Sequence, residues 1–325
     1  MVEELRVKAR ELLKNKQVEL FIGYQRAPDG VSATPCFIEN DLDADLLIWD
    51  AYCVYNLSSY LKDHLGSRLE NHGLPSDRQT HKLENNGLPS DRQSQKIGIV
   101  AKDCDLRSIV VLLQENQLKR EDLFIIEMEC QGVIDEKRLQ FSDTQNQEIT
   151  FAQKCKSCQS SKLSMSDYVI KDKGEKSAAL LATPDDYDEY GPIRKMEVKA
   201  ISERLKFWQE EFSRCIRCYA CRQVCPLCYC PKCVAEQTQP FWFSKATNLE
   251  GNFSWNVTRA MHLAGRCIDC GECERACPVG IPLRDINKKI EKDVKELFSY
   301  EAGSSAEAKP LFSCFDKNDP DSFIK

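Results

Sequence analysis

The sequence predicts an α+β chain in two parts: an N-terminal α/β domain with a short, mostly parallel sheet, then a cysteine-rich C-terminal module with flanking helices. Three observations predict it. A strand–helix–strand pattern runs over residues 97–128. Eleven of the 18 cysteines crowd between Cys215 and Cys277. A charged stretch punctuated by Gly and Pro separates the two regions.

Residues 2–16 read as an amphipathic helix, with Val2, Leu5, Ala9, Leu12 and Leu13 near one face. Residues 18–23 read as a strand ending at a glycine, and 54–64 as helical. Leu69–Lys82 (LENHGLPSDRQTHK) and Leu83–Lys96 (LENNGLPSDRQSQK) are a tandem duplication full of turn formers. Two copies are too few for a solenoid, so 69–96 reads as an exposed, flexible insertion. Ile97–Ala101 is a strand, Leu106–Gln117 a helix and Leu123–Met128 a second strand, spaced for a right-handed parallel unit. The first domain is thus placed at 1–170 and a linker at 171–195. The C-terminal module takes 196–300, entered by a helix from Met196 to Arg214 and left by another over Pro282–Ser299. Residues 301–325 read as a polar, frayed tail.

Composition excludes several function classes. Lys+Arg is 45 against Asp+Glu 51, a net charge of −6, which disfavours nucleic acid as a partner. No apolar run reaches the roughly 20 residues needed to span a bilayer, so no membrane insertion is expected. The N-terminus lacks a basic segment followed by an apolar one, so no signal peptide is expected. In a long, unsignalled, Lys- and Glu-rich chain, Cys-x-x-Cys spacing points to metal binding in a reducing cytoplasm.

Two runs carry the chemistry. Cys215-x-x-Cys218-x-x-Cys221-x-x-x-Cys225-Pro226 and Cys267-x-x-Cys270-x-x-Cys273-x-x-x-Cys277-Pro278 are the bacterial ferredoxin pattern. Three thiolates two residues apart wrap three corners of a [4Fe–4S] cube. The fourth lies too far along to close its own cube and ligates the neighbouring one. The expected ligand sets are Cys215, Cys218, Cys221 and Cys277 for cluster 1, and Cys267, Cys270, Cys273 and Cys225 for cluster 2. Zinc would need neither the doubled pattern nor its prolines.

Cys228, Cys230 and Cys233 follow the first run at once. They suit an additional metal site completed by Cys36, Cys53 or His262, or they are buried apolar thiols. Cys104, Cys130, Cys155 and Cys158 form a dispersed third group. Cys104 follows one parallel strand and Cys130 the next, so both emerge at the edge where α/β sheets bind ligands. Four thiols there suit an iron–sulfur cluster or zinc. Arg214, Arg217 and Arg222 flank the first run, whereas Asp269, Glu272 and Glu274 lie in the second, partly offset by Arg266 and Arg275. By Coulomb sign, cluster 1 is expected at the higher potential. Phe241-Trp242-Phe243 reads as core around the clusters.

The segments Gly98–Arg107, Ile125–Val133 and Lys154–Cys158 resemble the beta subunits of coenzyme F420-reducing hydrogenases and F420-dependent formate dehydrogenases over roughly residues 15–165. That family has a comparable Pro-Cys-Asp, an apolar strand ending in Cys-x-Gly, and a late Cys-x-x-Cys. The resemblance implies that Cys104, Cys130, Cys155 and Cys158 bind a third [4Fe–4S] cluster. It also raises FAD as a cofactor, but the family's Gly-Gly-x-x-Thr-type flavin segment has no counterpart in Met1–Gln17, a charged stretch with no glycine. The C-terminal part resembles dicluster ferredoxin modules of heterodisulfide reductase-associated electron-transfer subunits.

No dinucleotide loop, Walker motif or nucleophile elbow appears, and four histidines leave little for acid–base work. The expected function is an electron-transfer subunit of a multisubunit complex without its own substrate site. The resemblance implies redox subunits as partners: a heterodisulfide-reductase-like flavoprotein, and a formate dehydrogenase or hydrogenase. The alternative is an FAD-containing beta subunit acting on F420 or another hydride carrier. A zinc-stapled interaction protein is the third reading.

Overall fold

The computed structural model describes residues 1–62, 96–135, 150–156, 158, 163–172, 188–231, 233–313, 317, 319 and 320. The duplication lies outside them, except for Lys96. The architecture is α+β, with a five-stranded sheet of order β2-β1-β3-β4-β5.

Helix α1 (Val2–Lys14) buries Leu5, Ala9, Leu12 and Leu13, as the periodicity requires. Strand β1 (Val18–Arg26) runs past Gly23, because β2 (Ala33–Ile38) pairs with it antiparallel from Phe21↔Ile38 to Arg26↔Ala33. The sequence concealed β2, which carries Pro35; an edge strand tolerates the missing N–H. Of the helix expected over 54–64, residues 57–60 form a 3-10 turn that runs into helical residues 61–62, and 63–64 lie outside the described residues.

Strand β3 (Lys96–Ala101), helix α2 (Asp103–Gln114) and β4 (Leu123–Met128) make the expected parallel unit, in register from Ile97↔Leu123 to Ala101↔Glu127. Helix α2 begins three residues early because Asp105 caps it, accepting from the Lys102 N–H at 2.9 Å. After the one-turn helix α3 (Gln153–Lys156), β5 (Tyr168–Ile170) extends the sheet in parallel beside β4.

The last residues of the expected linker fold as α4 (Gly191–Glu197), with Ile193 buried. Helix α5 (Ile201–Ser213) follows, so the helix expected from Met196 is two, parted where Glu203 accepts from the Ala200 N–H. One-turn α6 (Ala220–Gln223), α7 (Leu249–His262), one-turn α8 (Glu272–Arg275) and α9 (Leu283–Phe298) complete the module. Phe241 and Trp242 are exposed; only Phe243 packs inward, against the core around Phe212 and Trp255.

The two parts share apolar packing. The core under the sheet, built on Phe21, Ile99, Leu106 and Ile125, continues into Cys225, Leu227, Leu263 and Ile268. The start of the tail is also docked rather than frayed. Arg107 donates to Glu301 and to the Ala302 carbonyl, both at 2.9 Å, and Gln114 donates to the Ser305 and Ala308 carbonyls. Gly303 sits at φ +69°, where an added Cβ would lie 2.4 Å from the Arg107 carbonyl oxygen. Gly303→Ala therefore meets both a left-handed backbone and a backbone clash. It should cost about 1–3 kcal/mol, read as a lower unfolding midpoint. An unchanged midpoint would show that the tail contributes nothing to the fold.

Candidate metal centres

The two ferredoxin runs adopt one backbone conformation twice. Arg217 and Tyr219 of the first have positive φ (55° and 59°), as do the corresponding Asp269 and Gly271 of the second (57° and 70°). One-turn helices α6 and α8 follow at matching places. Left-handed residues at these points curl the chain, so the thiols of each run face one centre.

Cys225 pairs most strongly with Cys228 through a side-chain hydrogen bond, and Cys273 lies near Cys221 as well as Cys225. Cys221 has Cys215, Cys277 and Cys218 as its electrostatic thiol neighbours. Cys270 and Cys273 both feel Cys225, and Cys267 feels Cys273. N–H donors point at two of the sulfurs: Ile281 N–H to Cys277 Sγ at 3.4 Å, and Asn287 Nδ2 to Cys273 Sγ at 3.5 Å. Cys221, Cys225, Cys273 and Cys277 are buried, whereas Cys218 is exposed. Burial, helped by the neighbouring Cys225 and Cys221 and opposed by Arg259, pushes the Cys273 thiol up to about 12, so a metal bound there would displace that proton.

The dispersed thiols converge as well. Cys104, Cys130, Cys155 and Cys158 line one cavity of about 110 Å3 at the carboxyl ends of β3 and β4. Cys270 forms part of the same wall. The Val133 N–H donates to Cys155 Sγ at 3.3 Å. Among the described residues, no three His, Cys, Asp or Glu side chains converge closely enough to share a single metal ion.

Residues 214–282 match the 4Fe-4S dicluster domain family. The chain carries a 4Fe–4S dicluster domain. Outside that domain's family, it is 32% identical over 124 residues to the F420-dependent formate dehydrogenase subunit beta of Methanocaldococcus jannaschii, covering 37% of this chain and 32% of that protein. It is 24% identical over 106 residues to F420-dependent formate dehydrogenase 1 subunit beta of Methanococcus maripaludis, covering 33% and 27%. A third similarity, 36% over 69 residues, is to a subunit of the ion-translocating oxidoreductase complex of Buchnera aphidicola, covering 21% and 12%. The chain thus spans about a third or less of the curated relatives it matches. The expected resemblance holds, and the protein is an iron–sulfur electron-transfer protein related to oxidoreductase subunits. Among the described residues, no helix is long and apolar enough to cross a membrane.

Beside the dicluster domain's first run, Cys228, Cys230 and Cys233 line a small cavity of about 40 Å3 with His262. Cys36 lies in edge strand β2, and Cys53 donates to Asp50; burial pushes both thiols up to about 12. Of the three partners considered for the extra thiols, His262 alone lines that cavity.

The flanking charges do not act as the linear sequence suggested. Arg214 pairs with Glu211 and Arg222 with Glu236. Asp269 is held by Arg284 at 2.6 Å and Lys288 at 3.2 Å. Glu272 is held by Arg275 at 2.8 Å and Lys154 at 3.5 Å, which keep its carboxyl below the usual range against the opposing effect of burial. Carboxylates thus offset Arg214 and Arg222, whereas buried Arg217 donates to the Gly251 and Ser244 carbonyls and lies over the Tyr219 and Trp255 rings.

Two lysines next to third-site cysteines escaped sequence reasoning. Lys154 donates to the Cys270 carbonyl at 2.8 Å and so ties the third site to the dicluster domain. Lys102 is fully buried, pairs with Asp105 at 3.0 Å, and donates to Tyr24 Oη and to the Tyr55 carbonyl. Their only sequence signal was adjacency to Cys104 and Cys155. Lys102→Met would strand the Asp105 carboxylate in the core. The expected loss is about 3–5 kcal/mol, measured by anaerobic urea unfolding; a loss below about 1 kcal/mol would mean that the pair carries no such weight.

Proposed function

We propose that this chain is the electron-transfer subunit of a cytoplasmic multisubunit redox complex, relaying single electrons through three [4Fe–4S] clusters. Cys215, Cys218, Cys221 and Cys277 hold cluster 1. Cys267, Cys270, Cys273 and Cys225 hold cluster 2, and Cys104, Cys130, Cys155 and Cys158 hold cluster 3. A cluster bound by four thiolates has no open position and exchanges electrons without binding a substrate.

One observation carries the relay reading: Cys270, a cluster 2 ligand, lines the cavity of the cluster 3 thiols, and Lys154 bonds its carbonyl from the third site. The order is therefore cluster 3, cluster 2, cluster 1. Exposed Cys218 marks cluster 1 as an end open to a partner. Similarity to named formate dehydrogenase and ion-translocating oxidoreductase subunits supports other redox subunits as partners. We assign these as a formate dehydrogenase or hydrogenase on one side and a heterodisulfide-reductase-like flavoprotein on the other. Burial raises the thiols of Cys104, Cys130, Cys267 and Cys273, so metal binding there would displace a proton, whereas the hydrogen bond with Cys228 lowers Cys225 to about 6.

Anaerobically purified protein should hold about twelve irons and as many sulfides per chain, with no flavin. Zinc without sulfide would overturn this reading, and stoichiometric FAD would favour a hydride-handling beta subunit. Cys277→Ser should remove or perturb the EPR signal of cluster 1, although Cys277 belongs to the second run. Loss of the cluster 2 signal instead would break the crossed assignment.

A further inference from the structure

Helix α7 presents Asn252, Trp255, Asn256 and Arg259 on one buried face. Asn252 fastens this face to the first run, donating from Nδ2 to the Phe212 carbonyl at 3.1 Å and the Cys215 carbonyl at 2.8 Å. Two turns on, Arg259 Nη2 donates to the Cys221 carbonyl at 2.9 Å. The guanidinium is buried, and among the described residues no carboxylate pairs with it and its Nε has no acceptor. The charged groups it feels are thiols: Cys228, then Cys273 and Cys225 of the cluster 2 set, then Cys221 of the cluster 1 set.

A guanidinium does not lose its proton, so this is a permanent positive charge in a low-dielectric interior. Left unpaired there it would be costly. With the clusters bound, the thiolates of Cys221, Cys225 and Cys273 would supply the anionic complement. Arg214 and Arg222 near the first run differ, because Glu211 and Glu236 offset them, and buried Arg217 differs because its guanidinium is taken up by the Gly251 and Ser244 carbonyls and the Tyr219 and Trp255 rings.

We propose that Arg259 is a redox-tuning residue shared by both clusters of the dicluster domain. Its fixed charge stabilises the reduced, more negative state of each. The proposal rests on the cluster assignment above and deepens it.

The test is an EPR-monitored redox titration of anaerobic full-length protein, with iron and sulfide counted in each sample. In Arg259→Met and Arg259→Gln, both midpoints should fall. Arg259→Lys, which keeps the charge, should stay close to wild type, and so should Arg214→Met, which removes an exposed, paired one. With iron intact, unchanged midpoints in the neutral variants would overturn the proposal. So would a fall in Arg259→Lys as large as in Arg259→Gln. Loss of iron from both neutral variants would make Arg259 a structural brace and also overturn it. Wild-type protein without iron would sink the cluster assignment instead, a distinguishable failure.

Discussion

The C-terminal half depends on bringing thiols of two distant runs into one small core. Cys225 belongs to the first run by sequence but neighbours Cys270 and Cys273 as well as Cys228, while Cys277 neighbours Cys221. The surrounding core, with Phe212, Trp255, Ile281 and Leu283, is small and includes Cys221, Cys273 and Cys277 themselves. A core built partly of ligands couples folding to metal, because protonated thiols at those positions would be a poor substitute for bonds to iron.

Charge placement follows from the same geometry. Buried cations lie beside the thiol groups and come from distant elements. Lys102 comes from the end of β3, Lys154 from α3 and Arg259 from α7. Lys154 matters most for connectivity, since it spans from the third thiol group to the Cys270 carbonyl and to Glu272. The α/β part is thus joined to the dicluster domain by continuous apolar packing and by a charged contact at a metal site.

Much of the fold was legible because its signals are local. The Ile97–Met128 unit followed from apolar runs of strand length flanking a helical period, and α1 and α9 from their apolar spacing. Strand β2 was not legible: a Pro-containing segment has no strand signature, and only pairing with β1 makes it one. The break between α4 and α5 turns on a cap at Ala200 that the run of helix formers obscured. The docked start of the tail depends on Gly303 meeting the Arg107 carbonyl, a contact across nearly two hundred residues.

By itself, the sequence determined that the chain binds iron–sulfur clusters, since ligand spacing along a run is set by the reach of a few residues around a cube. It also determined that Cys104 and Cys130 leave parallel strands at the same end, because strand polarity follows from chain order. Only the tertiary structure decided that Cys270 shares a wall with the dispersed thiols, that His262 rather than Cys36 or Cys53 lines the cavity of the extra cysteines, and which charges count. Electrostatic effect depends on distance and on partners in space. Arg222, next to a ligand in sequence, is paired with Glu236, whereas Arg259, far from the first run in sequence, reaches its backbone with no carboxylate to offset it among the described residues.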